Sequence, residues 1–197
     1  MKTEMIAVSS RGSGMDAALN QAEDTARKLG LSHRETLHLR LLVEEMMNMF
    51  HSIIGQLEGR FWIETNNGEC RLVLQAKTLM DNEQRQQFLS AATSGKNEAH
   101  RGIMGKLRAF FEPMPITDAP AYLTKTTLPG DRDGELTWSL EAYRERLNRR
   151  KDASEGASEE WDELEKSLVS HIADNVEVSI RGYDVQLVIL KKLNTAK

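Results

Sequence analysis

Two groups of residues in this sequence carry the types and spacing of a chemical site. The first is Glu44-Glu45-Met46-Met47-Asn48, where a carboxylate and a carboxamide fall four residues apart and share one face if the segment is helical. The residues around it, from Leu37 to Ile54, are so apolar that Glu44, Glu45, Asn48 and His51 stand out, because polar groups in such a helix need partners or a task. The second group is Ser94-Gly95-Lys96-Asn97 followed by Gly102-Ile103-Met104-Gly105-Lys106, a lysine-bearing loop ahead of a glycine-led helix start. Helix N–H groups and an ammonium could both approach a phosphate there. It is not a P-loop, which would read Gly-x-x-x-x-Gly-Lys-Ser/Thr. Other chemistries are excluded. The five histidines, His33, His38, His51, His100 and His171, lack metal-ligand spacing, and Cys70 is the only cysteine, so neither a zinc cluster nor a disulfide is available. No Ser/His/Asp or Cys/His constellation is readable. Met46, Met47 and Met49 read as gap-filling core, and the cluster from Arg144 to Lys151 reads as a solvated helix face.

These residues must be positioned by regular elements, and the patterning supplies them. Glu4 to Ser9 suits a first strand, ended by Ser10, Gly12 and Gly14. Ala18, Ala22, Ala26 and Leu29 then recur at helical spacing, predicting a helix over Met15 to Leu29 with Gly30 as its cap. Ser32-His33-Arg34-Glu35 is a capping box for a second helix that Gly55 ends, with the Glu35 carboxylate reaching back to Ser32. Phe61 to Thr65 and Cys70 to Ala76 form a hairpin around Asn66-Asn67-Gly68. Asp81 can cap a third helix running to about Ser90. All four prolines fall between Glu112 and Gly130, marking a long connection or an edge strand. Leu136 to Ala142 is a strand or a helix start, and the charged stretch Glu141 to Glu165 is the expected mobile loop. Trp161 to Ala173 is an amphipathic helix through Trp161, Leu164, Leu168 and Ile172, and a second hairpin over Val176 to Leu190 closes the chain.

The expected architecture is an α/β (α+β) two-layer sandwich, a mixed, mostly antiparallel sheet with helices on one face. With 197 residues the chain forms one domain and can bury roughly 70% of its unfolded surface, so it needs no metal or disulfide to hold a core. Net charge is −4, and its Lys and Arg are scattered, which argues against nucleic acid. The longest apolar run, Met46 to Ile54, is too short to cross a bilayer. The expected setting is cytoplasmic, without membrane attachment.

The order of elements and the Glu44-x-x-x-Asn48 spacing resemble the Bergerat-fold (histidine-kinase-like) ATPase domain, closest in size and helix order to the anti-sigma-factor serine kinases. The resemblance covers about residues 1 to 112 and the closing hairpin, and makes residues 113 to 165 an insertion atypical of the family. It implies ATP and magnesium as ligands. Glu44 would act as base, Asn48 as magnesium ligand, Asp81 (or Thr78) as adenine ligand, and Lys96, Gly102 and Gly105 as the phosphate loop. It further implies a regulatory protein partner, sigma-factor-like or antagonist-like, and a homodimer. The sequence departs from the family at Thr78-Leu79-Met80-Asp81-Asn82-Glu83, where both glycines of the Asp-x-Gly-x-Gly box are missing. A degenerate scaffold that regulates by protein interaction alone is therefore the alternative.

Overall fold

The computed structural model describes residues 1–51, 58–77, 124–126, 135–150, 167–181 and 184–193. In chain order these form β1 (Ile6–Ser9), α1 (Met15–Lys28), α2 (His33–His51), β2 (Glu58–Asn66), β3 (Glu69–Lys77), β4 (Thr124–Thr126), β5 (Glu135–Ser139), α3 (Leu140–Arg150), α4 (Leu168–Ile172), β6 (Asn175–Arg181) and β7 (Asp184–Lys192). One seven-stranded sheet runs β1-β2-β3-β7-β6-β5-β4. Every described pairing is antiparallel, so the expected α+β sandwich with a mostly antiparallel sheet holds, and no parallel pair occurs among the described strands.

Period-two alternation decides which face of the sheet is dry. Phe61, Leu74, Leu187, Val178 and Trp138 are register partners in turn across five strands, and all are buried. Ile63, Leu72, Ile189 and Val176 form the next such rung. Both rungs belong to one core cluster with Ala18, Ala22 and Ala26 of α1, Leu39, Leu42, Val43, Met46, Met47 and Phe50 of α2, Leu140 and Tyr143 of α3, and Val169 and Ile172 of α4. The described helices therefore cover a single face. The alanine stripe lets α1 lie close against α2, and a Glu23–Arg40 ion pair links the two on their solvent side.

Local chemistry accounts for the joints. Asn67 and Gly68 adopt left-handed backbone at φ 46 and 79, the primed turn that matches strand twist in the β2–β3 hairpin. At Gly14, with φ +81, an added Cβ would sit 2.3 Å from the Ala7 carbonyl oxygen, so this glycine sets how tightly β1 turns into α1. The Leu31 and Gly30 N–H groups donate to Ala26 and Arg27 carbonyls, closing α1 as a Schellman motif.

Three expectations change. The stretch beginning at Glu141 is helical to Arg150, in keeping with the helix-face reading of Arg144 to Lys151 and against the loop reading of the same stretch, because Leu140 and Tyr143 anchor it in the core; residues 151–165 lie outside the described residues. Its N-terminus is capped, with Glu141 N–H donating to Asn175 Oδ1 and Ala142 N–H to Ser139 Oγ. Residues 135–150, expected to belong to an insertion, thus build the sheet and the core. In α4, Val169 and Ile172 face inward while Leu168 is exposed; residues 161–166 lie outside the described residues.

Candidate functional site

The candidate site begins with α2. Its buried stripe is Glu35, Leu39, Leu42, Val43, Met46, Met47 and Phe50, at the three- and four-residue spacing of one helix face. At 100° per residue, Glu44 and Asn48 lie about 140° and 180° round the helix from the centre of that stripe. Glu44 is half-buried and Asn48 exposed, one turn apart on the outward side, and neither has a hydrogen bond or ion pair among the described residues. Leu37, an exposed large apolar residue, and the partly buried Leu41 share this outward stripe. A carboxylate and a carboxamide oxygen thus stand together beside apolar surface on the outward side of α2.

The core leaves these two polar side chains no partner. The alternative register would pair Glu45 with Met49. Glu45 is half-buried, and the Met49 side chain lies outside the described residues, as do Asp81, Lys96, Gly102 and Gly105, together with Thr78. The described structure brings Glu44 and Asn48 together and has no bearing on the rest of the expected set. Among the described residues no group of three or more His, Cys, Asp or Glu converges as a metal site. Magnesium needs no such group, since it binds through one or two protein oxygens plus phosphates and water; the Glu44 and Asn48 oxygens are donors of the right hardness. Cys70 is buried, and burial pushes its thiol up to about 12, so it stays protonated and is no nucleophile.

Sequence reasoning missed a second polar feature, on the inward side of α2. The Ser32 hydroxyl accepts from the Glu35 N–H at 3.2 Å, as the capping box requires, but the Glu35 carboxylate does not return to Ser32. It turns into the core, where Lys191 Nζ lies 3.8 Å from Oε2 and donates to the Ile172 carbonyl at 3.1 Å. The available signal was the alternation Val185, Leu187, Ile189, which puts Lys191 on the inward face of β7. A third polar cluster sits on the opposite face of the sheet, where Trp62, Val73 and Val188 form a small apolar group. Trp62 Nε1 donates to Glu64 at 2.7 Å, and Lys2 Nζ lies 3.3 Å from the same carboxylate and 4.6 Å from the Trp62 ring centre. The Trp62 hydrogen bond, with Lys2 beside it, holds the Glu64 carboxyl below its ordinary range.

No protein-family model matches this chain, and no curated protein or solved structure is significantly similar to it.

Proposed function

We propose that this chain is an ATP-binding regulatory protein resembling an anti-sigma-factor serine kinase, a switch that binds a protein partner. The observation that supports the reading best is the pair Glu44 and Asn48, one turn apart on the outward side of α2 and unpartnered among the described residues. In this reading the Asn48 oxygen helps hold a magnesium ion that bridges and neutralises the phosphates. Glu44 accepts a proton from the attacking hydroxyl of the partner's serine, or of water. Asp81 (or Thr78) takes the adenine, and Lys96, Gly102 and Gly105 form the phosphate loop. Catalysis is then mostly positioning and charge neutralisation. A sigma-factor-like or antagonist-like partner, a homodimer and a cytoplasmic setting belong to the same reading.

A second reading, a degenerate scaffold that regulates by protein contact alone, draws on Thr78 to Glu83, where neither family glycine is present. A Cβ at those positions would hinder close approach of the backbone to adenine and ribose. Calorimetry and thermal melting with ATP and magnesium separate the two. At a hundred times its dissociation constant the ligand adds about 2.7 kcal/mol of stability, several degrees for a chain of this size. A shift that Asn48→Ala abolishes supports the nucleotide reading. Absence of both heat and shift at millimolar ATP overturns it in favour of the scaffold.

A further inference from the structure

On the face of the sheet opposite the helices, β3, β7, β6 and β5 form the floor of an open cavity of about 410 Å³. That volume lies within the ~300–1,000 Å³ of small-molecule sites. Alternation dictates the floor: the residues between the buried ones, Thr137, Ser179 and Gln186, are register partners in turn, and Val188, Glu177 and Ser139 form the adjoining rung. The side chains of Thr137, Ser179 and Gln186 have no hydrogen-bond partner among the described residues, and Arg71 makes no hydrogen bond there but stands opposite Glu64 across the β2–β3 hairpin, whose carboxyl its charge helps to hold down. Two donor-acceptor hydroxyls, an amide and a guanidinium therefore converge on one cavity with their hydrogen-bonding capacity unused by the fold.

Charge narrows the ligand class. Arg71 stands at one end and Glu177, one of whose oxygens accepts from Asn175 Nδ2 at 3.1 Å, at the other, with Glu141 also on the wall. A dianion such as a phosphate would meet two carboxylates, and a simple cation would meet the guanidinium, so neither suits the whole site. Arg71 pairs with Leu190, and Glu177 with Val188, on either side of β7. The two are thus two strands and two residues apart, which places their Cα atoms about 12 Å from each other. Side chains on strands stand roughly perpendicular to the sheet, so the two charges keep a separation that a ligand with opposite charges at its two ends can span.

We propose that this cavity binds a small zwitterion, an amino acid or a dipeptide. Its carboxylate pairs with Arg71, its ammonium with Glu177, and its polar atoms bond to Thr137, Ser179 and Gln186 over Val188. Carboxylate recognition by a guanidinium fork fixes orientation as well as affinity. The site is separate from α2 and does not depend on nucleotide binding.

The test is a titration of the full chain, followed by amide nuclear magnetic resonance, with glycine and L-alanyl-L-alanine as zwitterions and with N-acetyl-L-alaninamide and acetate as controls. Saturable shifts at Thr137, Ser179, Gln186 and Val188 are expected for at least one zwitterion, weakened about tenfold (roughly 1.4 kcal/mol) by Arg71→Gln and by Glu177→Gln. Both substituted residues sit on the sheet surface, so unchanged melting temperatures establish that the variants fold. Three results would each overturn the proposal: no saturable shift with either zwitterion, equal binding of acetate or of the neutral amide, or binding that survives both substitutions.

Discussion

Helix α2 carries two acidic residues in opposite situations, and the contrast separates structure from function. Glu35 points into the core, where Lys191 stands 3.8 Å away and Ile172 accepts a hydrogen bond from that lysine. Glu44, nine residues on, points outward with Asn48 and has no partner among the described residues. A buried charge persists only where another charge or dipole compensates it, so Glu35 is explained by the fold. On the solvent side water can satisfy a carboxylate and a carboxamide, so the fold sets no demand on Glu44 and Asn48, and in the proposed reading their partner is the magnesium-bound nucleotide. The two pairs therefore differ in what their removal should cost: Glu35 and Lys191 in stability, Glu44 and Asn48 in binding.

The largest expected effect is at the inward pair. Lys191→Met leaves Glu35 buried with its Oε2 uncompensated, a loss of about 3–5 kcal/mol, or on the order of 10 °C in melting temperature. The double substitution Glu35→Leu with Lys191→Met should recover most of that loss, because it removes both desolvated charges. Thermal or urea melts of the single and double variants provide the measurement. A single variant as stable as the parent would mean that water or the chain relaxes around Glu35, and the contrast would collapse.

Next comes the outward pair. Asn48→Ala should leave unliganded stability within about 0.5 kcal/mol of the parent, since the side chain is exposed and makes no bond. It should at the same time erase the ~2.7 kcal/mol that ATP and magnesium add at a hundred times the dissociation constant. Glu44→Gln keeps the shape of the site and removes the base, so it should preserve the ATP-induced shift and lose any phosphoryl transfer. Loss of stability in both variants, with no difference in ligand response, would move this pair into the same structural class as Glu35.

Much of the scaffold was legible in the sequence because it rests on short-range rules. The alanine spacing of α1, the Ser32 cap, the Asn-Gly turn and the two hairpins are local signals, and each element stands where those signals put it. The helix over Leu140–Arg150 was only partly legible: its charged residues read as a solvated helix face, while its anchors, Leu140 and Tyr143, are fixed by contacts distant in sequence. Lys191 failed for the same reason. In a strand the face is set by register, but what a lysine meets there is set by α2 and α4, which no local rule reveals. At the candidate site the i, i+4 spacing of Glu44 and Asn48 was readable, but their outward orientation was not, because the apolar residues Leu37 and Leu41 lie on the same side and made the helix look buried all round. The sheet cavity was not readable, since it depends on four strands from different parts of the chain meeting in register.

A smaller effect tests the capping box that places α2. Ser32→Ala removes the acceptor for the Glu35 N–H and should cost about 1 kcal/mol. The Glu35 carboxylate faces Lys191 instead of Ser32, so Glu35→Gln should cost through the core pair and not through the cap. A double-mutant cycle between Ser32→Ala and Lys191→Met that adds within ~0.5 kcal/mol would establish this separation, whereas strong coupling would restore the reciprocal box.

The smallest effect belongs to Glu64, which lies between the two cases: paired like Glu35, yet with its side chain 37% exposed. Its carboxyl is held below the ordinary value of 4.5 first by the Trp62 indole N–H, then by Lys2. The folded state therefore prefers the ionised form more than the unfolded chain does. The resulting stability is fully present above pH 4.5 and is lost as the pH falls from there through the lower folded-state value. Solvent screening at this exposure limits the contribution to the ~0.2–1 kcal/mol of surface pairs. Glu64→Gln should accordingly flatten the acid limb of the stability profile below pH 4.5 by a fraction of a kcal/mol and leave stability at pH 7 slightly reduced. Trp62→Phe should flatten it more than Lys2→Met, because the indole bond is the first cause. A larger flattening by Lys2→Met than by Trp62→Phe in paired urea melts at pH 7 and pH 3 would place the ion pair ahead of the indole bond. The partially exposed carboxylate would then depend, like Glu35, chiefly on its lysine.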